Sequence, residues 1–299
     1  MAQPKSFRSS MTLSTAGAVK ALDTKALFNA AHLESTDSPI NEFLDRIEDL
    51  NKRMPPPAAA DSYSGQLILL GTVAAVESYI RTLFRRLIIL DPTAQEKVLE
   101  TQISYGAALH LKPDLLPEAL LESMSFVSEK TMTEALRKVL GVEGQLPADL
   151  LQTLKGYVKV CQIRHCAVHR FGKLGANNAI SLGMDAHSAL LEKPLNIDYL
   201  GMQRIIAVTI AFVKTLNNYL FNEMISRVHV NTWTGKYNSD KKKFARYYDL
   251  FRDSKSVVPT LPAKQLHATF YKQVVNFREA KPLAASASSA ASSPGALTP

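Results

Sequence analysis

The segment from Asp61 to Asp91 constrains the fold more than any other, because its apolar residues recur every three to four positions. An apolar face this long and broad is typical of a helix in the centre of a helical domain. The face comprises Leu69, Leu70, Val73, Val76, Tyr79, Ile80, Leu83, Phe84 and Leu87. On its polar side, Glu77 and Arg81 have the i, i+4 spacing of an ion pair.

The same periodicity predicts two more long helices and several short ones. Pro147 opens one long helix that ends near Gly172, and Asp198 caps another that reaches residue 226. A shorter amphipathic helix starts at Ser38 and stops before Pro55. Further short helices are expected at 93–101, 117–128, 131–140, 240–252 and 262–279.

Strand signals are weak throughout. Thr131 and Glu134 are compatible with a capping box, and residues 172–195 are expected to form a loop with a short hairpin at 179–182. The sequence therefore predicts an all-α protein. Its four expected parts are an N-terminal arm with one amphipathic helix (1–60), a bundle of four to five core helices (61–226), a basic helical extension (227–280) and a disordered tail (281–299).

The formal net charge of +8 is concentrated at the C-terminal end of the chain. From Arg227 to Pro299 there are twelve Lys or Arg residues and four Asp or Glu residues, whereas the rest of the chain is balanced. An excess of this kind favours contact with a polyanion such as RNA or DNA, because counterions are released on binding. The alternative is a solvated tail that only aids solubility.

The sequence predicts a cytoplasmic protein. No run of about 18 consecutive apolar residues is present, so no membrane partner is expected. The N-terminus lacks the continuous apolar stretch of a secretory signal, but its composition is also compatible with a transit peptide. Cys161 and Cys166 lie five residues apart on one predicted helix, where their side chains diverge, so no disulfide is expected between them.

The end of the helix that Pro147 opens carries Arg164, His165, His169 and Arg170. RNA cleavage without a metal needs a group that moves protons between the 2′-hydroxyl, the phosphate and the 5′-oxygen. Imidazole, with a reference pKa of about 6.5, suits that task at neutral pH. RNA cleavage without a metal also needs a fixed cation that holds the phosphate, and guanidinium offers a planar fork of hydrogen-bond donors for this role. Arginine and histidine are therefore the residue types that metal-free RNA cleavage requires.

The nine residues from Arg164 to Gly172 resemble the Arg-His-x-x-Val-His-Arg-x-Gly pattern that recurs in HEPN domains. The stretch from Gly71 to Arg81 is similar to the opening helix of bacterial HEPN proteins, in which small residues lead to Glu-x-Tyr-x-Arg. The resemblance covers roughly residues 61–226. It implies a HEPN-like helical bundle and a metal-independent endoribonuclease without a cofactor, acting in phage defence or as a toxin. The implied products carry a 2′,3′-cyclic phosphate and a 5′-hydroxyl.

The resemblance also implies roles for single residues. His169 would be the general base or acid, Arg164 the phosphate clamp and His165 a supporting donor. Arg164 and His169 lie about 140° apart on an ideal helix, so one subunit makes a poor site, and the family's usual solution is a homodimer. Phe171 stands where some HEPN toxins carry a Tyr that a nucleotidyltransferase antitoxin modifies, which puts that form of control in doubt while leaving a protein regulator open.

Three alternatives compete for the same residues. Arg164 and His169 could simply make polar contacts at the end of a helix. Cys161, His165 and His169 follow one stripe and could bind zinc, but a straight helix supplies two such ligands at most, so no metal site is predicted. Glu77 could orient Arg164 instead of pairing with Arg81.

The basic extension interleaves cations with aromatic rings. Lys241, Lys242, Lys243 and Arg246, together with Arg170, are predicted to bind RNA phosphates, while neighbouring rings stack on bases. Alternatively, this segment is a helix packed on the bundle through Phe244, Tyr248 and Phe251. At the level of function, the alternatives to a nuclease are a non-catalytic helical module that binds RNA or protein, and an adaptor whose basic tail meets an acidic protein.

Overall fold

The computed structural model describes residues 11–15, 17–18, 20–227, 233–234 and 236–290, of which 279–290 only as backbone. Every regular element in these residues is helical, apart from one isolated bridge between Lys173 and Pro194. The prediction of an all-α protein is therefore confirmed. The α-helices are α1 (Pro39–Arg53), α2 (Ser62–Leu90), α3 (Pro92–Val98), α4 (Tyr105–His110), α5 (Leu116–Leu121), α6 (Glu129–Leu140), α7 (Ala148–Arg170), α8 (Ala176–Leu182), α9 (Met184–His187), α10 (Tyr199–Arg227), α11 (Tyr237–Phe251) and α12 (Ala263–Ala290).

The chain forms two units, residues 1–36 and 37–299. In the described part of the first unit, the regular structure is a 3₁₀ turn at Thr24–Leu27. It begins at Asp23, whose carboxylate accepts a hydrogen bond from the backbone N–H of Lys25 at 3.1 Å. The second unit contains α1 to α12 and the hydrophobic core.

Helix α2 is the centre of the second unit, and α1, α7 and α10 all pack against it. Eight of the nine apolar residues that the periodicity assigned to its inner face are buried, and Leu70 is half-buried. Where α7 meets α10, the ring of Tyr157 stacks on Phe212 with centroids 4.7 Å apart. The hydroxyl of Tyr79 donates to the amide oxygen of Asn217 at 3.1 Å, which ties α2 to α10.

Several predicted helix ends are confirmed, because the side chains that cap them make the expected bonds. Ser38 accepts from the N–H of Asn41 at 3.4 Å at the start of α1. Asp198 accepts from the N–H of Gly201 at 2.7 Å at the start of α10. Helix α6 ends at Gly141, whose φ of +65° is a left-handed conformation that glycine adopts without strain.

Three local predictions were wrong. The capping box of α6 joins Ser128 and Thr131, whose backbone N–H groups are each bonded by the other's side chain. Arg81 does not pair with Glu77, because its guanidinium donates to the carbonyls of Leu121 and Met124 and so binds the chain around α5.

Residues 179–182 belong to helix α8 and not to a hairpin. The amide of Asn178 donates to the side-chain oxygen of Gln162 at 2.9 Å, and Ala179 is buried against α7. These contacts with α7 hold the segment as a helix, and they are invisible in local sequence. Helix α4 (Tyr105–His110) was not predicted at all.

The boundaries between parts expected at residues 60 and 226 do not separate hydrophobic cores. Helices α1 and α11 contribute buried residues to the same core as α2, α7 and α10. The backbone of α12 continues as a helix to Ala290, into the stretch expected to be disordered from residue 281. Alanine, the strongest helix former, is abundant there. The remainder of that stretch, 291–299, lies outside the described residues.

Among the helices that the structure describes, α2 and α10 are long and apolar enough to cross a membrane by length and composition alone. The fold buries 56% of the most apolar window of α2 and 39% of that of α10. Core helices pass the same test of length and composition, and both helices supply core residues here.

Most of the aromatic residues of the basic extension are core residues, whereas Phe277 is 53% exposed. Phe244, Tyr248 and Phe251 are all buried, as the packed-helix alternative predicts. Trp233 is buried too, with its ring edge against Phe270 of α12 and the Lys243 ammonium 4.8 Å from its centroid. These rings are therefore not available to stack on RNA bases in this conformation.

Candidate functional site

The helix that carries the motif ends in a strained turn. Phe171 has a φ of +49° and Gly172 a φ of +90°, and both N–H groups donate to the carbonyl of Cys166. A left-handed conformation is rare for a bulky residue such as phenylalanine. It places the ring of Phe171 in the open, 79% exposed, with its centroid 6.4 Å from that of Tyr63 at the start of α2.

His165 and His169 lie on successive turns at this end of α7, and both are exposed. Their ring centroids are 4.4 Å apart, so the two imidazoles touch. Cys166 and Ala167, on the opposite side of the helix, are buried. The core side of the helix therefore fixes which way the two imidazoles face.

Arg164 lies on a different stripe of α7, together with Tyr157 and Cys161. It is half-buried, and in the described part of the chain its guanidinium makes no hydrogen bond or ion pair. The Arg164 charge and the Glu77 carboxylate of α2 both lie near enough to Cys161 to shift the pKa of its thiol in opposite directions. Glu77 is therefore an electrostatic neighbour of Cys161, as Arg164 is, but no hydrogen bond or ion pair joins Glu77 to Arg164 among the described residues.

Burial raises the pKa of the Cys161 thiol to about 12, and the Glu77 carboxylate adds to that effect. The thiolate is the form that binds metals, so this cysteine is a poor ligand at neutral pH. Cys161 and Cys166 are both free and buried. The alternative of a zinc site shared by Cys161, His165 and His169 is therefore disfavoured by the state of the thiol.

The structure does not bring Arg164 and His169 together within one subunit. They project from different stripes of α7, and no hydrogen bond joins them among the described residues. The ring of His165 contacts that of His169. The three motif residues thus form an open surface and not a closed pocket.

Arg170 is engaged within the fold. Its guanidinium lies 2.5 Å from the carboxylate of Glu192, a residue whose φ of +60° is also left-handed. Phe171 and Glu192 are the two non-glycine residues with a positive φ in the described chain; Phe171 lies within the motif, and Glu192 pairs with the motif's Arg170. The prediction that Arg170 contacts nucleic acid would need this ion pair to open or to accept a phosphate beside it.

The segment after the motif folds back along the end of α7. Leu174 and Lys193 are joined by a backbone hydrogen bond of 3.0 Å, and Leu195 donates to the carbonyl of Gly172 at 2.9 Å. This arrangement brings Lys173 and Lys193, both exposed, beside the motif. Sequence reasoning missed these two cations, because only the backbone pairing places Lys193 there and no local pattern predicts it.

Apolar side chains border the motif on its solvent side. Val168 is 47% exposed between Arg164 and the histidines, and on α2 Tyr63 and Leu67 are 58% and 53% exposed. With Phe171, these four residues form a surface that we call the apolar rim. An exposed patch of large apolar side chains beside polar groups is typical of a protein interface.

The cations predicted in the basic extension lie elsewhere. Lys242, Lys243 and Arg246 line one cleft of about 400 Å³, together with Leu90, Pro92, Ser239 and Tyr247. Burial lowers the pKa of Lys243. Lys241 is exposed and does not line the cleft. Three of the four phosphate contacts predicted in the basic extension are thus brought together, in a surface that we call the basic cleft.

The motif and the basic cleft lie at opposite ends of α2. At the start of the helix, the Gln66 amide lies 3.0 Å from where a Cβ on Gly172 would be, so the motif is anchored there. At the other end, Leu90 lines the basic cleft. A rise of 1.5 Å per residue separates the two positions by about 36 Å along the helix. They are therefore two sites.

No protein-family model matches the chain, and comparisons with curated proteins and with solved structures find no significant match either.

Proposed function

We propose that the chain is a metal-independent endoribonuclease of the HEPN type, with Arg164 and His169 as its catalytic residues. The observation that carries the proposal is the open end of α7, where a guanidinium without a partner among the described residues and two exposed imidazoles lie within six positions. Buried arginines normally pair with carboxylates or carbonyls, as Arg81 and Arg227 do. A half-buried arginine without such a pairing is suited to bind an external anion such as phosphate.

The proposed reaction needs no co-reactant. An imidazole takes the proton of the ribose 2′-hydroxyl while the 2′-oxygen attacks the phosphorus. The bond between phosphorus and the 5′-oxygen breaks, and a protonated imidazole supplies a proton to that leaving oxygen. The Arg164 guanidinium offsets the negative charge that builds up on the phosphate oxygens. The products are a 2′,3′-cyclic phosphate and a 5′-hydroxyl.

Two copies of the chain would complete this site. In one copy, Arg164 and His169 point from different stripes of α7, so a phosphate held by one is poorly placed for the other. The apolar rim of Tyr63, Leu67, Val168 and Phe171 lies directly beside these residues and supplies exposed apolar area for a homodimer contact. Pairing two such rims would bring the two motif helices face to face.

The direct test is incubation of purified protein with single-stranded RNA in EDTA. We expect cleavage that survives chelation and fragments that end in a 2′,3′-cyclic phosphate. An RNA with a 2′-deoxy sugar at the cleaved position should stay intact, because the attacking hydroxyl is missing. Cleavage only when a divalent ion is added, or equal cleavage of the deoxy substrate, would contradict the mechanism.

The basic cleft is proposed as a second contact for the RNA backbone. Among the described residues, Lys242, Lys243 and Arg246 form no ion pair within 4 Å, although the Asp240 and Asp91 carboxylates lie near enough to act on Lys243. Changing all three to Ala is expected to weaken RNA binding and to reduce the slope of log K against log salt by about two, since each phosphate contact on a single strand contributes about 0.7. Fluorescence anisotropy with a labelled RNA at several salt concentrations measures the slope.

Lys138→Ala is the control for this measurement, because Lys138 is an exposed cation paired with Glu134 at 3.5 Å on α6. Its salt slope should equal that of the wild type. An unchanged slope in the triple variant would show that the basic cleft does not bind the backbone.

The biological setting follows from the HEPN proposal alone. It is a cytoplasmic nuclease of phage defence or a growth-arresting toxin, held in check by a protein regulator. The competing proposal, a non-catalytic module that binds RNA or protein, is favoured by the apolar rim and the basic cleft taken without the motif. RNA binding without any cleavage would decide for that module.

A further inference from the structure

His165 and His169 form a pair that the nuclease proposal uses only in part. They are separated by one helical turn, both are exposed, and their ring centroids are 4.4 Å apart. Of the histidines in the described chain, these are the only two whose rings contact each other. Imidazoles at i and i+4 of a helix can direct one nitrogen each to the same ion.

We propose that His165 and His169 together bind one late first-row transition-metal ion, Zn²⁺ being the physiological candidate. Imidazole nitrogen is a preferred ligand for zinc, copper and nickel and a poor one for magnesium or calcium. The chemistry of the pair therefore selects this class of ion.

The end of the helix favours a cation at this position, against the opposing charges of the exposed Lys173 and Lys193 beside the motif. The pair lies in the last two turns of α7, where the negative end of the helix dipole attracts positive charge. Arg170, the nearest cation along the helix, has its charge balanced by Glu192 at 2.5 Å. Arg164 points away along a different stripe.

The site would be open on one side. Within the described residues, no group of three or more His, Cys, Asp or Glu side chains is arranged to hold a metal, and the nearby Cys161 has a pKa of about 12. Water would complete the coordination. A site with two protein ligands is expected to bind reversibly.

The consequence rests on the proposed function. A metal that occupies the ring nitrogen of His169 removes the lone pair that would accept the 2′-hydroxyl proton. The ion would therefore inhibit the nuclease, so that RNA cleavage without metal and repression by zinc come from the same residue.

The experiment titrates Zn²⁺ into the full, tag-free chain by isothermal calorimetry after treatment with a chelator. We compare the wild type with His165→Gln and His169→Gln, and with His110→Gln as a matched exposed control on α4. Affinity should fall at least about tenfold in each of the first two variants and stay unchanged in the third. Circular dichroism checks that every variant is folded.

A Zn²⁺ affinity that is the same in His165→Gln and His169→Gln as in the wild type would overturn the site. The cleavage assay separates this outcome from failure of the nuclease proposal. Zinc binding that depends on the pair, in a protein that never cleaves RNA, leaves the metal site standing without the nuclease. Cleavage that zinc does not slow, with pair-independent zinc binding, removes the metal site and keeps the nuclease.

Discussion

His169→Ala is expected to slow RNA cleavage in EDTA by about a hundred- to ten-thousandfold, because a positioned proton donor or acceptor contributes a factor of that size. Arg164→Ala is expected to cost about a hundred- to a thousandfold, the usual loss when one group that stabilises transition-state charge is removed. Arg164→Lys should recover only part of this rate, since ammonium lacks the planar fork of donors. Single-turnover cleavage of a labelled RNA measures all three.

His110→Ala is the control for these variants, because His110 is an exposed histidine at the end of α4. It should cleave at the wild-type rate. His165 and His169 are exposed and Arg164 makes no bond to the described fold, so none of the variants should lower the thermal midpoint appreciably. Wild-type rates in both His169→Ala and Arg164→Ala would remove the catalytic assignment.

Asp91→Ala is expected to lower the free energy of unfolding by about 3–5 kcal/mol, which is typical when one partner of a buried ion pair is removed. The Asp91 carboxylate is 1% exposed and lies 2.6 Å from the Arg227 guanidinium. It also accepts from the hydroxyl of Tyr247 at 3.0 Å and from the N–H of Ala94 at 2.9 Å. The substitution would leave Arg227, itself 13% exposed, without its countercharge.

Urea denaturation followed by circular dichroism gives the free energy of unfolding. Asp114→Ala is the matched control, because Asp114 is exposed between α4 and α5 and its loss should change stability by less than about 0.5 kcal/mol. Equal stability of the two variants would mean that Asp91 does not join the ends of α2, α10 and α11 as the structure indicates.

The long helices could be predicted because their signal is repeated along many residues. In α2, eight apolar positions agree on one buried face, so a single exception such as Leu70 does not matter. The caps at Ser38 and Asp198 and the stop at Gly141 were also readable, because each depends on one residue type in a fixed backbone position.

Features set by distant contacts could not be predicted. Arg81 satisfies carbonyls about forty residues away instead of Glu77 one turn away. Helix α8 is held by Asn178 against Gln162, and the aromatic rings of α11 turn inward onto α10 and α12. In each case packing within the core decides the result, because the local sequence is compatible with more than one conformation or hydrogen-bond partner.

Some features of the candidate site could likewise be predicted from the sequence, and others could not. Arg164, His165 and His169 were identified from residue chemistry and spacing, and the structure shows which of them are exposed. Sequence could not show that Glu192 engages Arg170, or that Lys173 and Lys193 lie together, because both depend on how residues 172–195 fold back. Nor could it show that the basic cleft lies at the far end of α2 from the motif.

The most direct test of a site shared between two subunits is to mix its two inactive halves. Arg164→Ala and His169→Ala chains, co-expressed with different tags and purified as a heterodimer, would contain one pair of intact groups contributed by opposite subunits. We predict that this heterodimer cleaves single-stranded RNA in EDTA although each variant alone does not. A heterodimer as inactive as its parents would contradict a catalytic site that takes its guanidinium from one copy and its imidazole from the other.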